Sequence, residues 1–379
     1  MRSGAPALLL TGGTGLVGSQ LVPLLRAARP DRRVLILTRK RGTAAGLSRE
    51  PGVEALEGDL RQPGLGLDPA AVAELQVSLT EIIHCGAETR FGLPLEEARA
   101  TNTQGARNLL ALARGCRRLK KFAYVSTVYV AGRTSGSVAE APLCHRNGFC
   151  NTYQQSKYEA EEIVFEAAGE IPVTVFRFSS LIGDSATGRV RQFNYVHQLL
   201  RVFPRNVLPL APGDPDAPID LIASDWAAAA LAYLFEHRFV PGRVWQICAG
   251  PEASLTLREM IDLTVEVFEN HPLGRDLPPI RVPELVSLET YEQYVEKNRL
   301  DGDRLLNELL RVLGYFLPHL AIFQAFENRH VVEGLAGSGL RFPPIRDYFG
   351  KVVEYCLETD WGRRSSRPIR AAPHAGLLS

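Results

Sequence analysis

Short, unbroken apolar runs recur along the first half of the chain, separated by stretches whose apolar positions return every three or four residues. The runs Ala7 to Leu10, Arg33 to Thr38, Val53 to Glu57, Glu81 to Cys85, Lys121 to Ser126 and Val173 to Phe178 read as strands. The amphipathic stretches beginning at Leu16 and Pro69, and those at Leu95 to Ala113 and Tyr153 to Ala168, read as helices. Strands that are apolar throughout are buried on both faces, so the alternation predicts an α/β fold: a Rossmann-type, doubly wound parallel sheet with helices on both faces. Past Gly183 the rhythm loosens into loops carrying Pro204, Pro209, Pro212, Pro215 and Pro218. Helices are expected there at Arg191 to Val202, Ser224 to His237 and Leu257 to Glu269, with a strand at Val244 to Ala249. This second part reads as a smaller capping region.

In a doubly wound sheet, ligands collect at the carboxyl ends of the strands, which singles out the residues just after each run. After the first stands Thr11-Gly12-Gly13-Thr14-Gly15-Leu16-Val17-Gly18. Gly12 permits a tight turn, Gly15 lets backbone N–H groups approach a phosphate, and Gly18 lets the next helix pack against the sheet. The helix N-terminus then offers unpaired N–H groups to an anion, so the strand–turn–helix context predicts a dinucleotide cofactor held by Gly12, Thr14, Gly15, Leu16, Val17 and Gly18. A carboxylate about 20 residues past the glycines would select NAD; Thr38-Arg39-Lys40-Arg41 stands there instead. An arginine clamps a 2′-phosphate, which predicts NADPH with Arg39 as its contact; a solvated basic turn is the competing reading. Asp59, with Leu60 beside it, is expected to meet the adenine amino group, or else to cap a helix. Cys85, Gly86, Ala87, Phe178 and Ser180 follow other strands and complete the expected cofactor contacts.

Tyr153 and Lys157 are four residues apart on a predicted helix, hence on one face about one turn apart. A neighbouring ammonium stabilises a phenolate, so Lys157 is expected to lower the Tyr153 pKa by about 1 to 3 units. The chain has only six lysines (Lys40, Lys120, Lys121, Lys157, Lys297 and Lys351) in a background that otherwise uses arginine. Lys157 therefore stands out as a compact point charge. Thr127, at the end of the fifth strand, supplies a hydroxyl beside the tyrosine, with Ser126 as the alternative.

Several stretches together resemble one family: TGGTGLVGS at 11–19, HCGAETRFG at 84–92, TNTQGARNLLALA at 101–113, YVSTVYVAG at 124–132, NTYQQSKYEAE at 151–161 and RFSSLIGDSATG at 177–188. They resemble the extended short-chain dehydrogenase/reductases, in the branch of thioester reductase domains and fatty acyl-CoA reductases. The resemblance implies Thr127, Tyr153 and Lys157 as the catalytic triad, and Asn102 as a structural or relay residue. It also implies an NADPH-dependent reduction of an acyl thioester, on CoA or a carrier protein, to an aldehyde and on to an alcohol. Where the family has Arg-Pro after the sixth strand, this chain has Arg177-Phe178. Beyond Pro251 the resemblance fades. The implied division is an NADP-binding domain at 1–182, with segments around 207–250 returning to it, a substrate-capping region at 183–361 and a flexible tail at 362–379.

The acyl pocket is expected between the sheet and the helix at 191–202, whose Phe193, Val196, Leu199 and Leu200 recur at helical spacing; core packing explains the same pattern. Arg189, Arg191, Arg201 and Arg205 read as contacts for a phosphopantetheine arm or an acidic carrier, or as solvated surface. Cys144, His145 and Cys150 lack the paired spacing of a zinc site, Cys85 reads as small-residue packing, and His84 and His197 read as structural. No metal is expected.

The formal charge of +1 gives no field favouring nucleic acid. No apolar stretch reaches the roughly 20 residues of a membrane helix. Six spaced cysteines without a CxxC, and no secretory leader, point to a cytoplasmic chain with reduced thiols, monomeric or homodimeric. The alternatives are a nucleotide-sugar epimerase or dehydratase, a ketone reductase on the same fold, and an NADPH-binding regulatory or scaffold protein.

Overall fold

The computed structural model describes residues 6–40, 42, 46, 49–144, 146–271, 279–300, 310 and 313–364. The apolar runs form seven parallel strands: β1 (Ala7–Thr11), β2 (Arg33–Thr38), β3 (Val53–Glu57), β4 (Leu79–His84), β5 (Lys121–Thr127), β6 (Val173–Phe178) and β7 (Val244–Ile247). Their order is β7-β6-β5-β4-β1-β2-β3. The chain winds outward from β1 through β2 to β3, then crosses back to β4 on the other side of β1. That reversal opens a crevice at the carboxyl ends of β1 and β4.

Both faces of the sheet are covered, which is why its strands lack polar alternation. Leu8 and Leu10 of β1 pack with α1 (Gly18–Ala28) and with a later alanine-rich helix (Ser224–His237). Ala7 and Leu9 pack on the opposite face, where Leu109 and Leu110 come from the helix Thr103–Gly115 and Ala160 and Val164 from the helix Thr152–Glu166. The stretch Trp226 to Phe235 is thus a core helix, and no helix among the described residues is long and apolar enough to cross a membrane.

Two boundaries differ from expectation. The single helix expected at 95–113 is two, Leu95–Thr101 and Thr103–Gly115, meeting at Asn102. The helix expected from Arg191 begins at Tyr195 and runs to Val202, because Asn194 caps it: its side chain accepts from Val196 N while His197 Nδ1 accepts from Asn194 N. His197 also meets the Ile182 carbonyl, so its role is structural. After β6, Ser180–Gly183 pairs with Leu221–Ala223 before β7 rejoins the sheet beside β6, and Leu210–Pro212 pairs with Glu284–Val286, which follows β7. Of the expected tail, residues 365–379 lie outside the described residues, as do Arg41 and His145.

Candidate active site

The glycine turn after β1 has two positions that no other residue can fill. Gly12 has a φ of +67°, and a Cβ there would lie 2.6 Å from the Cys85 carbonyl carbon; a Cβ on Gly18 would lie 2.3 Å from the Gly12 oxygen. Gly15 N donates to Gly12 O, and Gly15, Leu16, Val17 and Gly18 carry the chain along the crevice into α1. Thr11 Oγ1 bonds His84 Nδ1 at 2.6 Å and accepts from Gly86 N, tying β1 to the segment after β4. Burial, then the Lys157 charge, pushes the His84 pKa down to about 3, so the ring is a neutral structural group.

The crevice is a cleft of about 550 Å³, lined on one side by the glycine turn with Cys85 and Ala87, and on the other by Thr127, Tyr153, Lys157, Phe178 and Ser180. Tyr153 and Lys157 share the inner face of the helix Thr152–Glu166, started by Asn151, whose side chain accepts from Gln154 N. Tyr153 and Thr127 both line the cleft, and Thr127 acts against the upward shift of the Tyr153 pKa. Ser126 also lines the cleft, and its buried hydroxyl has no hydrogen-bond partner among the described residues. These residues fit a nicotinamide dinucleotide: a glycine cradle that a side chain would fill, a helix start, and an unsatisfied hydroxyl in the same cleft.

The expected lowering of the Tyr153 pKa is not what the geometry produces. Burial pushes it up to about 12. The Lys157 ammonium turns inward instead, donating to Tyr124 Oη at 2.6 Å and Val125 O at 2.8 Å, and sits 4.1 Å from the centre of the Tyr124 ring. Burial pulls the Lys157 pKa down to about 7, opposed by Glu161 one turn further along the helix. Glu161 is in turn held by Arg177 Nη2 at 2.8 Å, and both side chains are buried. The sequence reading missed this Arg177–Glu161–Lys157 chain. Its signal was an arginine inside the apolar run Val173 to Phe178 and a carboxylate four residues after Lys157. Asn102 is buried and donates to Ser156 Oγ and Glu88 O while accepting from Glu88 N, so it clamps the segment after β4 to the helix Thr152–Glu166.

Thr14, Arg39, Asp59, Leu60 and Gly86 are outside the cleft lining. Arg39 is exposed at the end of β2, close enough to Asp59 to help lower its pKa. The Asp59 carboxylate caps no helix; it accepts from Arg61 N at 3.0 Å and Arg61 Nη2 at 2.6 Å. Leu60 and Gly86 pack together behind the cleft. Burial raises the Cys85 thiol to about 12, which leaves it a packing residue rather than a nucleophile. Among the described residues no group of three His, Cys, Asp or Glu side chains is placed to hold a metal.

Beside the cleft lies a second, apolar chamber of about 160 Å³. Val196, Leu199 and Leu200 line it, whereas Phe193 lines the cleft.

The family model of the male sterility protein, an NAD-binding domain, matches residues 10–231, which contain the glycine turn and all three catalytic candidates. The chain belongs to that family. It is thereby an extended short-chain dehydrogenase/reductase of the branch that holds thioester reductase domains and fatty acyl-CoA reductases. It is 32% identical to the isonitrile lipopeptide synthase of Streptomyces coeruleorubidus over 93% of this chain and 24% of that protein. It is 25% identical to the fatty acyl-CoA reductase wat of Drosophila melanogaster over 60% of this chain and 55% of that protein. The chain thus spans about a quarter to a half of these relatives. The terminal R domain from the myxalamid PKS-NRPS biosynthetic pathway shares the fold, with a TM-score of 0.77 at 24% identity, covering 95% of this chain and 93% of that one.

Proposed function

We propose that this member of the male sterility family is an NADPH-dependent reductase of acyl thioesters, carried on CoA or on a carrier protein. The observation that supports it most is that Tyr153 and Thr127 line the same cleft as the glycine turn. When bound, the cofactor supplies a hydride for the thioester carbon. Tyr153, protonated at neutral pH because its pKa is about 12, donates to the carbonyl oxygen together with Thr127. The oxyanion that develops is stabilised by these two donors, and Tyr153 surrenders its proton to it. The resulting hemithioacetal collapses with loss of the thiol, leaving an aldehyde. The aldehyde presents the same carbonyl to the same donors, so a second reduction to the alcohol uses the same site. Lys157 holds the cofactor's ribose side and, through its charge, the electrostatics of the cleft. The division assigned is 1–182 for the cofactor, with 207–250 returning to it, and 183–361 for the substrate.

The cofactor preference rests on Arg39, exposed at the end of β2 with Lys40 beside it. Arg39→Asp should lower the NADPH over NADH preference in kcat/KM by at least tenfold, read from initial rates; an unchanged ratio removes Arg39 from the phosphate site. Arg201 lies near Arg205 and Arg363; partial burial, then the charges of these two arginines, lowers its pKa, against the opposing pull of Asp360. Arg201, half-buried, with Arg205 and Arg363, both exposed, is the assigned contact for a phosphopantetheine arm or an acidic carrier surface. The assignment as a whole is tested by following NADPH absorbance with acyl-CoA, acyl-pantetheine, ketone and sugar-nucleotide compounds. Oxidation by thioesters alone supports it, and oxidation by ketones alone, or by none, refutes it.

A further inference from the structure

The apolar chamber and the reaction cleft share two lining residues, Tyr129 and Tyr195. Their hydroxyls close a ring with Ser180: Tyr129 to Ser180 at 2.9 Å, Tyr129 to Tyr195 at 2.9 Å and Ser180 to Tyr195 at 2.5 Å. Three hydroxyls in a ring each donate once and accept once, so the wall is satisfied when shut. Tyr195 also stacks on Phe316 at 5.5 Å between ring centres and leans on Phe91 at 5.6 Å. Phe91 is itself stacked on Tyr153 at 5.4 Å. One aromatic ring therefore separates the reacting phenol from the wall of the chamber. Tyr195 is the first residue of its helix, preceded by the irregular stretch 188–194, whereas Tyr129 and Ser180 follow directly on sheet strands. Of the three, Tyr195 can swing without disturbing the sheet, and Tyr129 and Ser180 keep their own bond when it does.

Behind the wall the surfaces are those of an apolar ligand: Leu199, Leu200, Met260, Ile261 and Phe349. The carboxylate in the lining, Asp220, already accepts from Ala249 N, Gly250 N and Ser254 Oγ. We propose that the chamber seats the apolar tail of the acyl group and that Tyr195 is the gate through which the tail enters from the cleft. A cavity of roughly 150 Å³ accommodates a benzene-sized guest, so the tail it holds is about six carbons long. This rests on the reading of the enzyme as a thioester reductase.

The test is kcat/KM for straight-chain acyl-CoA thioesters from acetyl to dodecanoyl, with wild type, Leu199→Trp and Met260→Ala. In wild type each added carbon should raise kcat/KM about fourfold, the worth of one buried methylene, up to about six carbons and no further. Leu199→Trp, which fills the chamber, should cut the hexanoyl-to-acetyl ratio at least tenfold. Met260→Ala, which enlarges it, should move the plateau to longer chains, so the two variants give opposite shifts and neither can be mistaken for poor folding. Tyr195→Phe, which opens the hydroxyl ring but keeps the stack, should raise the rate for long tails relative to acetyl. Equal rates for all chain lengths in wild type, or length profiles the variants leave unchanged, overturn the chamber assignment while leaving thioester reduction standing. If no thioester of any length oxidises NADPH, the reading itself has failed and the inference falls with it.

Discussion

Replacing Tyr153 by phenylalanine should lower kcat by about 10²- to 10⁴-fold, the usual worth of a positioned proton donor, while the NADPH dissociation constant stays within about twofold. The substitution is clean because the ring has its own support: Phe91 stacks on it at 5.4 Å with planes 17° apart, and that contact survives loss of the hydroxyl. What is lost is only the hydroxyl, whose residue shares the cleft lining with Thr127. Because burial holds its pKa near 12, the phenol is a donor at neutral pH, not a phenolate base. The role assigned to it is therefore to bind and protonate the oxyanion formed in reduction. Pre-steady-state rates with fluorescence titration of NADPH check both halves. A kcat loss below tenfold, or a matching loss of cofactor affinity, contradicts the role.

The second large effect concerns stability. Glu161→Ala leaves the Arg177 guanidinium buried, with its remaining partner Gln246 Oε1 at 3.5 Å. Removing one partner of a buried ion pair costs about 3–5 kcal/mol, so the urea unfolding midpoint should fall sharply. Replacing both members together, Glu161→Leu with Arg177→Met, should restore most of the loss, since apolar groups of similar volume avoid the uncompensated charge. A midpoint for Glu161→Ala equal to wild type would mean that the pair contributes little. The same carboxylate raises the Lys157 pKa against its burial, so the single variant should also shift the alkaline limb of the kcat/KM profile to lower pH.

Much of this was legible in the sequence, and the boundary of what was legible is physical. The strands Arg33–Thr38, Val53–Glu57 and Val173–Phe178 and the helix Ser224–His237 came out with the bounds the pattern predicts, because a doubly covered sheet imposes a local, short-period signal. The glycine turn was readable because its requirement is steric and contiguous. Contacts between residues far apart in sequence were not. The Lys157 side chain finds Tyr124, 33 residues away, rather than Tyr153 four residues away, and no helical spacing encodes that choice. Asn102 breaks its helix because its side chain is bonded to the backbone of Glu88 and to Ser156. The chamber draws Tyr129, Leu199, Met260 and Phe349 from across the chain, where the sequence offers four unrelated apolar positions.

The central claim is that a thioester carbon is reduced beside Tyr153 and Thr127. The direct measurement is to supply an acyl-CoA with NADPH deuterated on the transferable hydrogen of its nicotinamide ring and to analyse the products by mass spectrometry. The expected result is an aldehyde or alcohol with deuterium on the former thioester carbon, together with one free CoA thiol per molecule reduced. Free thiol without deuterium in the product, or deuterated cofactor left intact while the thioester persists, would contradict it.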